Sequence, residues 1–489
     1  MKSLERDSTS RIVLPLLFLI ILVGSLLRFP SLEHESLWFD ELQQWFRSNS
    51  PDIGTLLRVT RRTVLSPGHE LFHFLVQKYL GDSEFALRFP SAVAGVLAIP
   101  MIYLLAAQLY SYREGLIAAA LIAVAWCPIR YSQEARPYSL LLLFSILTSY
   151  LWISVMRAFR RGDSPSYKTM GLYLAAATAC AYLHHFGLYL VALQGLAAGT
   201  ILVRNPQALL KIAIIYLLLA LLYLPWLPMM LEDLGRKKFF AKPREISSFV
   251  SYLRFIFNKS TLLLTVVMGL YLHLLIRSLR VRGGSELRID PLSPGMLLSL
   301  WLVVPFLGAF IKSIISTPVL VFRYLIISLP PAYLLLSRAI TQLPFKARTQ
   351  MAVALILIGL FLRDLILVKH YYSLPQKQQW REAVEYIVEG DALYENSLII
   401  GCAPQKDFFN YYFSKMDSPR RVDLLACRKQ DISETMSAID SRNPSHIWFI
   451  WAMPKPDPEF LNYLTENLRT LDHKRFKRAD VWLFENAPP

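Results

Sequence analysis

The residues of this chain best suited to chemistry come in short clusters. Asp40 and Glu41 stand side by side in "SLWFDELQQW", framed by Trp38, Phe39 and Trp45. "SPGHE" holds His69 and Glu70, "RFPS" holds Arg88, and "IRYSQEARPY" holds Arg130, Glu134, Arg136 and Tyr138. "YLHHFG" carries His184 and His185, and "VFRYL" carries Arg323 and Tyr324. Carboxylates and imidazoles move protons, and the planar guanidinium fork grips an oxyanion through paired hydrogen bonds. Each cluster falls at the expected outer end of an apolar run, where an ionisable group costs on the order of 3 kcal/mol unless it pairs or faces a cavity. Acids, histidines and arginines gathered on one side therefore predict a wet pocket at the outer membrane boundary. Each cluster also has a plainer reading. The aromatic frame suits an interfacial belt, Glu134 and Arg136 can neutralise one another, Arg88 can brace a helix start beside Pro90, and the histidines can be satisfied interfacial residues.

The elements that must hold these groups are membrane spans. The chain has 489 residues, 54% of them hydrophobic and only 18% charged, with a mean hydropathy of +0.37. A soluble protein would carry roughly a quarter charged residues. Apolar runs near the ~20 residues needed to cross a hydrocarbon core recur at 12–28, 86–109, 115–129, 138–157, 170–184, 187–203, 210–230, 260–277, 296–315, 322–340 and 351–368. The stretch 170–203 is too long for one straight crossing, and "YLHHFG" at its centre predicts a hairpin of two helices. The expectation is a polytopic α-helical protein of about eleven spans, with an uncleaved first helix and the two termini on opposite sides.

The net charge of +16 reflects basic residues in short loops, as membrane topology demands, and implies no nucleic-acid partner. Four cysteines without a C-x-x-C pair, no Walker loop and no dinucleotide fingerprint leave metal, redox and ATP motifs unsupported. The basic loop Arg236, Lys237, Lys238, Lys242 and Arg244 could attract anionic head groups or simply be solvated.

Two regions are not spans. Residues 31–85 alternate apolar and polar positions at helical spacing in "ELQQWFRSN" and "HELFHFLVQKYLG", the pattern of amphipathic helices lying in the outer interface. The domain boundary is expected at 369, with 1–369 the membrane domain and 370–489 a small soluble α/β domain. There "SLIIGC", "RVDLLAC", "HIWFIWA" and "DVWLFEN" read as strands between helical segments, so a largely parallel sheet is expected. Cys402 and Cys427 each end a predicted strand; at one edge of a parallel sheet they could form a disulfide in an oxidising compartment, or remain two buried thiols. Cys127 and Cys180 lie within spans and read as packing residues.

Several segments together resemble bacterial GT-C glycosyltransferases of the protein-mannosyltransferase and aminoarabinose-transferase type. "LWFDE" resembles the Asp-Glu motif of that family's first outer loop. The block beginning "SPGHELFHFLVQKYLG", then "YSQEARPYSLLLL", "YLHHFGLYLVALQ", "YLPWLP", "FRYLIISLP" and "QWREAVEYI", follows in the family order across residues 10 to about 390. Two positions depart from it: the usual double proline is Ser66-Pro67-Gly68, and a bulky Leu42 follows Asp-Glu. The resemblance implies an inverting transferase. It would move one sugar from a polyprenyl-phosphate carrier to a hydroxyl of a lipid, glycan or protein acceptor outside the bacterial cytoplasmic (inner) membrane. It implies Asp40 as general base, with Glu41 orienting the acceptor or a loop. Arg136 and Arg323, with Tyr324, Glu134 and Tyr138 beside them, would receive the departing phosphate. His69, His184, His185, Arg88 and Trp38 would line the substrate pocket. The chemistry requires no cofactor; a divalent metal is conceivable, but no ligand spacing supports one. A lipid-linked-sugar flippase and an inactive scaffold of the same fold are the competing classes. The first would favour internal repeats and mid-span charges, which the sequence does not display.

Overall fold

The computed structural model describes residues 2–61, 66–235, 245, 247–282, 292–391, 394 and 396–487. The basic loop positions Arg236, Lys237, Lys238, Lys242 and Arg244 lie outside them. Helices run α1 Lys2–Leu26, α2 Phe39–Ser48, α3 Ile53–Arg61, α4 Pro67–Leu80, α5 Glu84–Leu109, α6 Tyr112–Val124 and α7 Trp126–Ser132. They continue with α8 Tyr138–Arg160, α9 Tyr167–Leu183, α10 His185–Leu202, α11 Pro206–Tyr223, α12 Leu227–Gly235, α13 Ser248–Ile256 and α14 Thr261–Arg282. The last are α15 Pro294–Ile315, α16 Leu329–Thr341, α17 Ala347–Arg363, α18 Trp380–Asp391, α19 Asp407–Lys415, α20 Ile432–Arg442 and α21 Pro458–Asn467. The chain divides into two compact units: Met1–Pro30, Pro51–Leu80 and Ala86–His370 form the first, and Ser31–Ser50, Gly81–Phe85 and Tyr371–Pro489 the second.

The first unit is a multi-pass membrane bundle. Among the described residues, eight helical segments are long and apolar enough to cross a bilayer, and nine if α6 and α7, bent by 58°, form one broken span. The remaining expected spans, 12–28 and 170–184, are also helical, but Ile12–Leu26 and the 17-residue α9 are shorter. The hairpin at "YLHHFG" is present. His184 is extended between α9 and α10, its Nδ1 accepts the Phe186 N–H at 3.1 Å, and Gly187 lets α10 close on α9, because a Cβ there would lie 2.0 Å from the Cys180 carbonyl oxygen.

The break between α6 and α7 shows how a bent helix survives without water. In a continuous helix the Trp126 N–H would bond the Ile122 carbonyl; the bend separates them, and an unsatisfied backbone group in hydrocarbon costs several kcal/mol. Trp126 N–H donates instead to Asn258 Oδ1 at 2.8 Å. The fully buried Arg28 donates from Nη2 to Ile122 O and from Nη1 to Ala123 O, both at 2.8 Å. Arg28 Nε also reaches Ser132 Oγ at 3.2 Å, and Gln133 Nε2 returns to Arg28 O at 3.1 Å. Opposite, Gly95 admits α7 against α5, since a Cβ there would sit 1.9 Å from Ser132 Oγ.

The second unit is a five-stranded sheet with helices. Its strands are β1 Ser397–Cys402, β2 Leu424–Leu425, β3 His446–Trp451, β4 Arg469–Phe476 and β5 Ala479–Glu485, in the order β2-β1-β3-β5-β4. β2, β1 and β3 are parallel, as expected, whereas β5 and β4 run antiparallel to their neighbours. The central strands read as continuous apolar runs because both faces are covered. One face packs Ile400, Phe449 and Trp482 against Phe460 and Leu464 of α21. On the other, Gly390 of α18 meets Trp448 so closely that a Cβ would lie 2.8 Å from its ring. Cys402 at the end of β1 is disulfide-bonded to Cys427, with Cα atoms 4.9 Å apart. Cys127 and Cys180 are buried free thiols.

Candidate active site

Of the groups singled out in the sequence, Trp38, Asp40 and Glu41 belong to the second unit, and the histidines, arginines and tyrosines to the first.

In the second unit, Asp40 and Glu41 open α2. Glu41 is fully buried and structurally committed. Its Oε2 accepts the Trp38 N–H at 3.2 Å, closing the first helical turn where a carboxylate also favours the helix dipole, and meets Lys377 Nζ at 3.3 Å with both side chains buried. The rest of this strip is stitched to 376–380. Ser36 Oγ donates to Gln378 O at 2.7 Å and accepts the Trp380 N–H at 3.1 Å, and Phe39 N–H donates to Gln378 Oε1 at 2.8 Å. The "LWFDE" and "QWREAVEYI" segments, more than 300 residues apart in the sequence, are thus one structure. α2 is held further by Trp45 against Tyr411 at 4.7 Å and by Phe39 edge-on to Phe408. Leu42, the bulky departure, is fully buried. Asp40, two positions earlier, is half-buried.

In the first unit, three interhelical corners bring together the residues expected to bind phosphate. Pro137 caps α8, and because a residue before proline avoids the helical region, Arg136 stays in the corner ahead of the helix. Arg323 and Tyr324 lie in a 3-10 stretch, Phe322–Ser328, kinked at Leu325. His184 and His185 come from the α9–α10 hairpin. The Arg136 guanidinium lies 5.9 Å from the Tyr138 ring centre. That of Arg323 lies 5.9 Å from the same ring and 5.8 Å from Tyr324. Tyr138 and Tyr324 are stacked at 6.3 Å, and the His184 ring packs on Tyr324 at 4.8 Å with His185 6.3 Å beyond. Each cation is attracted to a ring face, yet two like charges sharing one ring repel. A guanidinium fork also suits an oxyanion.

The other expected residues are placed differently. Glu134 is fully buried and accepts from Arg130 Nε at 3.0 Å, one turn back on the helix side. His69 in α4 is buried with its ring 4.4 Å from that of His73, a partner the motif reading did not include. Arg88 is fully buried in α5. The Ser66-Pro67-Gly68 departure has a steric reason, because a Cβ at 68, which any proline carries, would lie 2.7 Å from the Tyr182 carbonyl oxygen. Among the described residues, no three His, Cys, Asp or Glu side chains gather as a metal-binding group. Arg28, Asn258, Lys377 and Gln378, which hold these segments in place, escaped sequence reading. Arg28 looks like a flanking charge after a span, and a Gln378 that bonds residues 36 and 39 carries no local signal.

Comparison with known proteins agrees with this architecture. Residues 66–231 match the family described as dolichyl-phosphate-mannose-protein mannosyltransferase. No curated protein sequence matches the chain. Among solved structures, ArnT from Cupriavidus metallidurans in the apo state superposes with a TM-score of 0.59 at 12% identity, covering 99% of this chain and 100% of that one. The same enzyme bound to undecaprenyl phosphate gives 0.57 at 12% identity over 98% and 99%. The apo oligosaccharyltransferase of Archaeoglobus fulgidus gives 0.52 at 13% identity over 89% of this chain and 69% of that one. The chain therefore has the GT-C fold of these solved structures.

Proposed function

We propose that this protein is an inverting glycosyltransferase. It moves a single sugar from a polyprenyl-phosphate carrier to a hydroxyl of an envelope lipid, glycan or protein, outside the bacterial cytoplasmic membrane. The observation that carries the reading is the pair Arg136 and Arg323 over the Tyr138 ring, inside a fold shared with a protein crystallised with undecaprenyl phosphate. The Cys402–Cys427 disulfide fits a second unit on the oxidising side.

The acceptor oxygen attacks the anomeric carbon from the face opposite the phosphate. As that bond forms, the bond from the anomeric carbon to the phosphate oxygen breaks, and its electron pair leaves with the phosphate. Arg136 and Arg323 receive the charge that develops there, and a fixed guanidinium aimed at such charge is worth about 10²–10³ in rate. Asp40 takes the acceptor proton, a contribution of typically 10²–10⁴. Glu41, engaged with Lys377 and the Trp38 N–H, orients α2 rather than reacting.

The test uses the purified full chain with radiolabelled polyprenyl-phosphate sugars and envelope extracts. Asp40→Asn is expected to lose transfer by at least about a hundredfold while still binding undecaprenyl phosphate. Arg136→Ala and Arg323→Ala lose both. Transfer by Asp40→Asn at the wild-type rate refutes the base. Mass spectrometry of a deletion strain should show one missing single-sugar increment, which names acceptor and sugar class together. Carrier-linked sugar accumulating on one leaflet without any transfer deficit would instead make the protein a flippase.

A further inference from the structure

A second group of cations in the first unit surrounds one indole. Lys259 Nζ lies 4.7 Å, Lys369 Nζ 5.3 Å and Arg130 Cζ 5.4 Å from the Trp126 ring centre. Arg130 is paired with Glu134, and the nearby Asp364 is paired with Arg363 at 3.3 Å. Two lysine charges therefore remain in excess around the ring. Burial and the neighbouring cations hold Lys259 below the usual lysine range, and burial lowers Lys369 by more than the nearby Asp364 raises it. Both are pushed toward losing a proton unless an anion is at hand.

The lysines are held there by structure. Asn258 and Lys259 both have left-handed backbone, at φ of 54° and 56°, a conformation that is unfavourable for residues with a Cβ and persists only where the surroundings fix it. Asn258 does the fixing. It is fully buried, its Oδ1 accepts the Trp126 N–H, and its Nδ2 donates to Phe361 O at 3.1 Å. One side chain thus ties α7, the turn before α14 and α17 into a fixed frame for the cations.

Each lysine also borders apolar surface that faces outward. Lys369 follows directly on Ile366, Leu367 and Val368, which are 47%, 65% and 54% exposed. Lys259 precedes α14, whose Leu262 is 50% exposed. A cation fixed where an exposed apolar track ends matches a molecule with an acyl chain below and a phosphate above. Free phosphate would use the charges alone and make no use of the tracks beside them.

We propose that Arg130, Lys259 and Lys369 around Trp126 form a binding site for the phosphate of an anionic glycerophospholipid, separate from the Arg136–Arg323 pair. The site does not depend on the transferase reading. Its test is native mass spectrometry of the full chain, purified in detergent and titrated with phosphatidylglycerol, phosphatidylcholine or inorganic phosphate. Wild type is expected to retain phosphatidylglycerol preferentially. Removing each lysine charge should cost roughly fivefold in retention, so Lys259→Gln/Lys369→Gln should lose most of the preference, while Lys259→Arg/Lys369→Arg keeps it. Trp126→Phe, which leaves all three cations in place, should also keep it. Equal retention of phosphatidylglycerol and phosphatidylcholine by wild type, or unchanged retention by the double glutamine variant, overturns the proposal. Retention of inorganic phosphate as strongly as lipid reassigns the site to a soluble anion. Displacement of phosphatidylglycerol by one equivalent of undecaprenyl phosphate reassigns it to the carrier. Either result ends the phospholipid assignment and leaves sugar transfer to be judged by the Asp40 variant.

Discussion

Arg28 and Glu41 are both fully buried and lie thirteen positions apart in the sequence, yet the units that contain them use buried charge for different ends. In the membrane unit, Arg28 gives hydrogen bonds to backbone carbonyls that a broken helix has released. In the α/β unit, Glu41 meets an ammonium group from a segment more than 300 residues away. The first device repairs a ladder inside one bundle, where no water can do so. The second joins two distant stretches of chain, where a charged pair specifies which partner is met. A guanidinium with five donors can serve several carbonyls at once, whereas a carboxylate accepts only and must be brought to its donors. Buried charge in the first unit therefore preserves an irregular backbone at the corner that precedes Arg136, and in the second it anchors the helix whose first turn holds Asp40.

The strongest test of that contrast removes Arg28. Arg28→Met keeps length and apolar packing but leaves Ile122 O and Ala123 O without these donors, at about 1–3 kcal/mol for each buried group. A total loss near 4 kcal/mol is expected, read as a large drop in thermal midpoint in detergent. Transfer activity should fall with it, since the corner carrying Arg136 is no longer held. Arg28→Met with an unchanged midpoint would mean that the break needs no donor.

Next in size is the pair in the second unit. Glu41→Gln removes the carboxylate that faces the buried Lys377 charge and should cost about 3 kcal/mol. Glu41→Gln/Lys377→Met removes both charges and should recover most of it, because a well-packed apolar replacement of a buried pair is often neutral. The double variant should also retain transfer, unlike Asp40→Asn, which separates the anchoring carboxylate from the proposed reacting one. Loss of transfer in a stable double variant would bring Glu41 into the chemistry.

The same contrast explains what the amino-acid order conveys. Apolar runs and the hairpin at His184 are local patterns, and each is readable because burial in hydrocarbon imposes it residue by residue. The strands β1 and β3 are equally legible, being unbroken apolar runs. β4 is not, because "RTLDHKRF" is an exposed edge strand whose residues alternate no hydrophobicity, and with it went the antiparallel half of the sheet. Residues 31–50 read as an interfacial loop of the membrane domain because their amphipathic spacing suits a lipid surface as well as a protein one. That they fold with 371–489 depends on Gln378 and Lys377, whose partners no local window reveals. Of the candidate site, residue types were visible and partners were not. Glu134 was visible as a candidate, while its salt bridge from Arg130, four residues earlier, was not.

The smallest effect lies at the solvent edge of the second unit, where charge should matter least. Asp480 on β5 faces His473 of β4 at 3.6 Å, and the His473 ring is stacked on Trp482 at 4.1 Å. Burial raises the Asp480 carboxyl above its ordinary value of 3.8, more than the attraction of His473 lowers it. A raised folded-state value means that the native unit holds this proton more tightly than the unfolded chain. That stabilisation is complete below 3.8 and disappears as pH rises through the raised value. At neutral pH the ionised carboxylate is then a slight burden on the fold. Asp480→Asn should raise the thermal midpoint at pH 7 by the equivalent of a few tenths of a kcal/mol, small because solvent screens a part-exposed group, and the gain should vanish near pH 3. A variant that is less stable than wild type at pH 7 would show the His473 pair outweighing burial, and edge charges would then resemble Glu41 and Lys377 rather than differ from them.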